Sequence, residues 1–167
     1  ISDFNNFEEF RNHLKENAPK ISLMEQGHLI QIKGISHASA DLQNANVAER
    51  QAKAAEIPLK NYCPVNIRIE YNQAMSTGSG ITLWAIFSKD KDEIDVQNPV
   101  RLGADSLGER GKKAEIVGVD AANNLIKEIE SKAPADKHLA DQVLKFMALA
   151  SKSKIKASMI TSHAKTN

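Results

Sequence analysis

The 167-residue sequence is poor in cysteine and in aromatic residues, and it lacks an excess of charge of either sign. Its single cysteine, Cys63, excludes an internal disulfide and a cysteine-cluster zinc site, and it favours a cytoplasmic protein. Aromatic residues make up only 5%, which disfavours a sheet of stacking side chains for single-stranded nucleic acid. The net charge of +1 argues against a tail that binds nucleic acid by bulk charge, although it leaves room for a local basic cleft.

Long apolar runs and targeting signals are lacking as well. No run approaches the roughly 18 residues of a membrane span, so no membrane partner is expected. The first residues, Ile1-Ser2-Asp3-Phe4, include neither an initiator methionine nor the basic, apolar start of a signal peptide. At the other end, the chain stops directly after an apolar strand pattern. Both ends look cut, and we expect a piece of a longer protein.

Short strand and helix patterns alternate along the chain. In order, they predict a short helix within residues 1–20, a strand at Leu29–Lys33, a helix at Val47–Ile57 that stops before Pro58, strands at Val65–Tyr71 and Ile81–Phe87, a long helix, a helix from about Lys137 to Ala150, and a strand at Ile155–Ile160. Most of the apolar face of the long helix is assigned to Ile116, Val119, Leu125, Ile126 and Ile129. This order indicates an α+β or α/β protein.

Two groups of residues have types and spacing that suit chemistry. His138, Asp141 and Gln142 stand at i, i+3 and i+4 of a predicted helix, where they can reach a common ligand, and the alternative is a solvated helix face. His163 follows a predicted strand among small polar residues. A neutral imidazole at a strand end can act as a nucleophile, and the alternative is a structural or surface histidine.

Two weaker signals are a metal site and a phosphate loop. His138, Asp141 and His163 include donors that suit zinc or non-haem iron, but only the inferred return of the chain brings them together, so no metal site is predicted. Residues 101–113 read as an irregular stretch with three glycines and several basic residues before a helix. Such a stretch can hold phosphate, but no P-loop or dinucleotide fingerprint is present, and the alternative is a loop whose glycines make turns.

Four residue strings add to these patterns. In chain order they are Gly34-Ile35-Ser36-His37-Ala38-Ser39 followed by Val47-Ala48-Glu49-Arg50; Gly103-Ala104-Asp105-Ser106-Leu107-Gly108-Glu109-Arg110-Gly111-Lys112-Lys113-Ala114-Glu115; His138-Leu139-Ala140-Asp141-Gln142; and Ser162-His163-Ala164-Lys165-Thr166-Asn167. Each resembles a stretch of the RNA 3′-terminal phosphate cyclase family. The spacing between Asp141 and His163 resembles that of the family too, and the common order across residues 29–167 makes the resemblance specific.

The resemblance implies an α+β fold with two parts. The first is a small inserted α/β-sandwich domain, a sheet with two helices, over residues 25–132. The second is a fragment of a larger catalytic domain of repeated βαβ units, over residues 133–167, and residues 1–24 are a lead-in. The family's chain is about twice as long, so its N-terminal half would be absent here. The near-neutral charge would then arise because most RNA-binding basic residues lie in that half.

The resemblance also implies an activity, namely ATP-dependent conversion of an RNA 3′-phosphate to a 2′,3′-cyclic phosphate through a histidine–AMP intermediate. By match, His163 is the nucleophile, and His138, Leu139, Ala140, Asp141 and Gln142 line the ATP site, with His138 packing on adenine and Asp141 near the nucleophile. A divalent ion, Mg or Mn, would assist with the phosphates. We expect His138, Asp141, Gln142 and His163 to converge on one cleft, and the fragment alone to be inactive.

Two other functions are left open by the sequence. One is a non-catalytic relative in the family that acts as a ribosome-assembly factor in rRNA processing. That branch lacks the nucleophile histidine, so His163 favours the enzyme. The other is a small stand-alone binding module, against which the abrupt ends of the chain argue.

Overall fold

The computed structural model describes residues 4–17, 20–91, 99–147, 153–162 and 165. Its helices and strands confirm the α+β class. In chain order they are α1 (Phe7–Asn17), β1 (Ser22–Leu23), β2 (His28–Ser39), a short 3₁₀ helix (Ala40–Ala45), α2 (Val47–Leu59), β3 (Val65–Asn72), β4 (Ser79–Ser88), β5 (Val100–Leu107), α3 (Ala114–Glu130), α4 (Lys137–Met147) and β6 (Lys154–Ile155). The chain divides into two compact units, Gly27–Lys132 and Ile1–Gln26 with Ala133–Asn167.

The unit Gly27–Lys132 contains a four-stranded mixed sheet in the order β3-β2-β4-β5. Strand β2 pairs in parallel with β3, and the 3₁₀ helix and α2 make the crossover between them. The other edge of β2 pairs antiparallel with β4, and β4 pairs antiparallel with β5. The two glycine-rich turn regions before β4 and after β5 therefore lie at the same end of the sheet, because Gly80 pairs with Leu107.

Helices α2 and α3 cover one face of this sheet and enclose the core with it. The side chains that are fully enclosed there include Ile32, Leu83, Phe87, Leu102 and Leu125. Each such burial stabilises the fold by about 1.5–3 kcal/mol relative to exposure. The alternating apolar positions of the predicted strands account for this core: Leu83 and Ala85 are completely buried, and Ile67 is partly buried, although Ile69 near the sheet edge is 42% exposed.

Strand β5 corrects the prediction of an irregular stretch at residues 101–113. Leu102 and Ala104 point into the core, and the strand pairs with β4 along its whole length. Gly103 and the small residues beside it lower the strand propensity of this segment, so pairing with β4 decides its conformation.

The core-facing side of α3 was also predicted in part wrongly. Leu125 and Ile129 are buried as expected, but Ile116 is 47% exposed and Val119 is 38% exposed. The buried stripe instead includes Gly118, Ala121 and Ala122, and Gly118 lies against the backbone of α2. The small residues allow the two helix backbones to approach closely, and the branched side chains at 116 and 119 turn to solvent as a result.

Two predicted boundaries differ as well. Helix α2 includes Pro58 and ends one residue later at Leu59, whose side chain is fully buried and holds the last turn against the core. The strand predicted at Ile155–Ile160 is reduced to β6, Lys154–Ile155, with an isolated bridge between Ala157 and Ala135. Its partner β1 is only two residues long, and this limits the length of the ladder.

The second unit contains α1, the parallel pair β1–β6 and α4. Phe4 packs edge-on against Phe10, with 5.3 Å between the ring centroids. Backbone hydrogen bonds from Lys154 to Ile21 and from Lys156 to Leu23 join its two chain segments. Within the described part of the chain, no helix is both long and apolar enough to cross a membrane.

Candidate functional site

Helix α4 has a fixed beginning. The carboxylate of Asp136, which is only 8% exposed, accepts a hydrogen bond of 2.7 Å from the backbone N–H of Leu139, and its carbonyl accepts one of 3.0 Å from Ala140. This is the N-capping arrangement, which stabilises a helix by about 1 kcal/mol relative to alanine. The preceding Ala135 is bound to Ser158 through the backbone. The first turn of α4 is therefore held against residues 157–158.

The predicted site residues of α4 separate into two groups. Ala140 is buried and Leu139 is half-buried, so these two serve the packing of the helix. His138 and Gln142 are exposed and Asp141 is half-buried, on adjacent turns. A ring, a carboxylate and an amide are thus presented close to one another on this helix.

Asp141 has a partner from the end of the described chain. The hydroxyl of Thr161 donates a hydrogen bond of 2.5 Å to Oδ1 of Asp141. This bond brings the segment that continues to His163 up to the helix. His163 itself lies outside the described residues, so its approach to His138, Asp141 and Gln142 stays a prediction.

The exposed side chains of α4 include groups that can contact a ligand. Among the described residues, no group of three or more His, Cys, Asp and Glu side chains can hold a metal ion. Mg²⁺ commonly binds through one or two carboxylates together with substrate phosphates, and Asp141 supplies one such carboxylate. The exposed ring of His138 and amide of Gln142 offer stacking and hydrogen-bonding groups for a base.

Sequence reasoning missed two contributors to this site. Neither Thr161 nor Asp136 is among the candidate residues that the sequence patterns single out. A capping signal was present for Asp136, since Asp before a helical pattern favours an N-cap. No local signal identifies the contact between Thr161 and Asp141, because it joins residues 20 positions apart.

Comparison with known proteins gives consistent matches. The family model of the RNA 3′-terminal phosphate cyclase insert domain matches residues 24–130. A curated RNA 3′-terminal phosphate cyclase of Sulfurisphaera tokodaii is 45% identical over 161 residues, and one of Thermococcus onnurineus is 41% identical over 155 residues, each match covering 92% of this chain. One of Pyrococcus furiosus is 43% identical over 141 residues and covers 84% of it. The chain spans 42% of the length of the first two relatives and 37% of the third.

Proposed function

Because this chain belongs to the RNA 3′-terminal phosphate cyclase family, we propose that it forms part of an ATP-dependent enzyme that converts an RNA 3′-phosphate into a 2′,3′-cyclic phosphate. The main support is the 41–45% identity to proteins of that name, which extends past the insert domain into the α4 region. The contact between Thr161 and Asp141 adds support, since it joins the string that contains Asp141 to the residue directly before the string that begins at Ser162. We propose the cytoplasm as the compartment, in keeping with a single cysteine.

The proposed chemistry has three displacements at phosphorus. A ring nitrogen of His163 attacks the α-phosphorus of ATP, a P–N bond forms, and pyrophosphate leaves. An oxygen of the RNA 3′-phosphate then attacks the same phosphorus and breaks the P–N bond, so AMP passes to the RNA end. The neighbouring 2′-hydroxyl attacks the 3′-phosphorus, loses its proton, and expels AMP as the ring closes. An imidazole suits the first two steps because it is both a nucleophile and a leaving group.

The residues of α4 serve binding and orientation in this proposal. His138 packs on the adenine, Gln142 binds its polar edge, and Leu139 and Ala140 support the wall behind them. Asp141 orients the His163 ring by accepting its second N–H, while Thr161 fixes the carboxylate. A divalent ion, Mg or Mn, would neutralise the phosphate charge, and the carboxylate of Asp141 would hold it.

A hybrid protein tests the proposal. This chain replaces the matched segment of the Sulfurisphaera tokodaii relative, and the hybrid is incubated with ATP labelled on the α-phosphate. We expect acid-labile label on the protein and cyclisation of a 3′-phosphorylated RNA. The variant His163→Asn should lose both by several orders of magnitude, because removal of the nucleophile removes the covalent path. His28→Asn, which changes an exposed histidine of the sheet unit, is the matched control and should keep both.

Two results would contradict the proposal. Label that persists in the His163→Asn hybrid would show that another residue is the nucleophile. A folded hybrid that never becomes labelled, but binds ribosomal RNA precursors, would favour the assembly-factor function instead.

A further inference from the structure

A concave feature of the sheet unit lies where β4 begins, β5 ends and both long helices start. It is a cavity of about 590 Å³, within the range of about 300–1,000 Å³ that is usual for ligand sites. Its lining residues are Leu42, Val47, Arg50, Thr77, Gly78, Ser79, Gly108, Glu109, Arg110, Lys112, Lys113, Ala114 and Val117. They come from three separate stretches of the chain, 42–50, 77–79 and 108–117, which the pairing of β4 with β5 and the packing of α2 on α3 bring together.

The lining is strongly basic, although the chain as a whole has a net charge of only +1. Four of its side chains are Arg or Lys and one, Glu109, is acidic. Three of the basic side chains, Arg110, Lys112 and Lys113, stand directly before α3. Cations there oppose the positive end of the helix dipole and disfavour the helix, so helix stability does not explain them. An anion held in the cavity does explain the presence of these three cations.

Two of the cations are held by carboxylates, and two are exposed without an ion-pair partner among the described residues. The guanidinium of Arg50 forms a forked pair with Glu115 at 2.7 and 2.9 Å, and Lys112 contacts Asp120 at 2.8 Å. Arg110 and Lys113 are exposed, and neither forms an ion pair with any side chain in the described part of the protein. These two side chains are therefore available to a phosphate without breaking an existing pair.

Ser79 supplies a positioned hydroxyl. The buried amide of Gln51 donates to Ser79 Oγ at 2.9 Å, so this oxygen already accepts a hydrogen bond. The hydroxyl hydrogen of Ser79 can then be donated to an acceptor, such as a phosphate oxygen in the cavity. Thr77, in contrast, already donates to Asp41.

We propose that this cavity binds the sugar–phosphate backbone of single-stranded RNA, with Arg110 and Lys113 as the principal phosphate contacts and Ser79 as a supporting donor. The identity of the nucleic acid rests on the proposed function. The cavity lining includes no aromatic residue, so bases have no ring to stack on. Contacts of Arg, Lys and hydroxyl groups with phosphates bind nucleic acid without reading its sequence. The binding is therefore tolerant of RNA sequence and sensitive to salt.

The test is direct binding of the 167-residue chain to fluorescent, 3′-phosphorylated single-stranded RNA, followed by anisotropy at several salt concentrations. The double variant Arg110→Glu, Lys113→Glu should weaken binding at least tenfold. It should also reduce the slope of log affinity against log salt by about 1.4, because two phosphate contacts are lost at about 0.7 each for single strands. The conservative variant Arg110→Lys, Lys113→Arg should bind like the original chain.

The chain offers a control of equal charge change. Lys33 and Arg101 are exposed on the sheet face opposite the helices, since they pair with Trp84 and Ile86 on that face. The variant Lys33→Glu, Arg101→Glu should change affinity less than twofold. Neither double variant should lower the melting temperature, and the acid at 113 complements the helix dipole.

Several outcomes would overturn the assignment. Equal weakening by both double variants would show that bulk charge alone binds the RNA. No weakening by the 110/113 variant would show that the cavity is not used. Displacement of RNA by ATP or inorganic phosphate as readily as by RNA of another sequence would show a small-anion site. Failure of the proposed function is seen separately, as a hybrid that does not label with ATP, because RNA binding by this chain needs no ATP and labelling does not need Arg110 or Lys113.

Discussion

The side-chain amide of Gln51 donates a hydrogen bond of 2.9 Å to the hydroxyl of Ser79, and so joins the middle of α2 to the first residue of β4. The single hydroxyl hydrogen of Ser36 is shared between the amide oxygen of the same glutamine, 3.0 Å from Ser36 Oγ, and the carbonyl oxygen of Ala48, at 2.8 Å. Gln51 and Ser36 are both completely buried. One glutamine therefore connects a helix to two strands and positions a hydroxyl at the cavity edge.

Gln51→Leu keeps the volume of the side chain and removes both hydrogen bonds. We expect the free energy of unfolding to fall by about 1–3 kcal/mol, because buried polar groups lose a partner. RNA affinity should fall as well, since Ser79 is no longer oriented. Urea unfolding followed by circular dichroism measures the first effect. The exposed Gln43→Leu is the control and should change stability by no more than about 0.5 kcal/mol.

Gly118→Ala tests the close approach of α2 and α3. A Cβ at this position would lie 2.1 Å from the carbonyl oxygen of Gln51 and 3.1 Å from the backbone nitrogen of Ala55. Both are backbone atoms, so the helices must separate, which costs about 1–3 kcal/mol. This exceeds the gain of about 1 kcal/mol in helix propensity. Thermal unfolding should show a lower midpoint, whereas Gly78→Ala, whose Cβ meets no atom within 4 Å, should leave it nearly unchanged. A more stable Gly118→Ala protein would contradict the packing described.

The fall in the free energy of unfolding at alkaline pH should depend on Tyr71. Burial first, and then its hydrogen bond to Glu49, raise the pKa of this phenol above its ordinary value of 10.0. The folded state therefore favours the protonated form, so this contribution is complete below pH 10 and disappears as the pH rises through the higher folded pKa. Urea unfolding across pH 9–12 should show a decline that is smaller in Tyr71→Phe.

Tyr62, the other of the chain's two tyrosines, provides the control. A hydrogen bond to Glu130 is the main cause that raises its pKa, but the side chain is exposed. Tyr62→Phe should alter the alkaline decline less than Tyr71→Phe does. Absorbance titration of the single-tyrosine variants follows each phenol separately, and a Tyr71 that ionises at or below pH 10.0 would contradict a raised pKa.

In the hybrid cyclase, Asp141→Asn and Thr161→Val should slow labelling by ATP without abolishing it. In the proposed mechanism both residues orient the His163 ring, so both variants leave the proposed nucleophile in place. We expect each to retain on the order of a hundredfold more activity than the His163 variant, as orienting groups do relative to attacking groups in other covalent catalysts. Single-turnover labelling rates measure this. If Thr161→Val labels at the full rate while Asp141→Asn is slow, the bond between the two residues has no part in orientation.

The sequence sufficed for the α+β class and for most helices and strands, because their apolar positions repeat at regular intervals. It failed at β5, where Gly103 interrupts the pattern and the partner strand supplies the missing stability. It also failed for the buried face of α3. Hydrophobicity favoured Ile116 and Val119, whereas the packing of two helices at short distance selected Gly118 and the alanines.

The candidate sites were predicted to different degrees. The strings containing Asp141 and Arg110 could be identified because each is continuous in sequence. Their long-range partners could not, since Thr161 stands 20 positions from Asp141 and Arg50 stands 65 positions from Glu115. Such contacts depend on where the sheet and the helices bring distant segments together, and a single sequence carries no local trace of that.

The side-chain amide of Gln26 donates a hydrogen bond of 3.1 Å to the backbone carbonyl of Ala133, so the two residues that flank the sheet unit lie side by side. The polypeptide leaves at Gln26 and returns to the same point after the whole unit Gly27–Lys132 has been traversed. To the remaining chain this unit is a loop that is already closed, and doubling the length of such a loop adds only about 0.6 kcal/mol of closure entropy. Changing the length of this unit, or replacing it by a short linker, therefore costs little loop-closure entropy. The position between Gln26 and Ala133 is for this reason one at which an accessory domain can be gained, exchanged or lost.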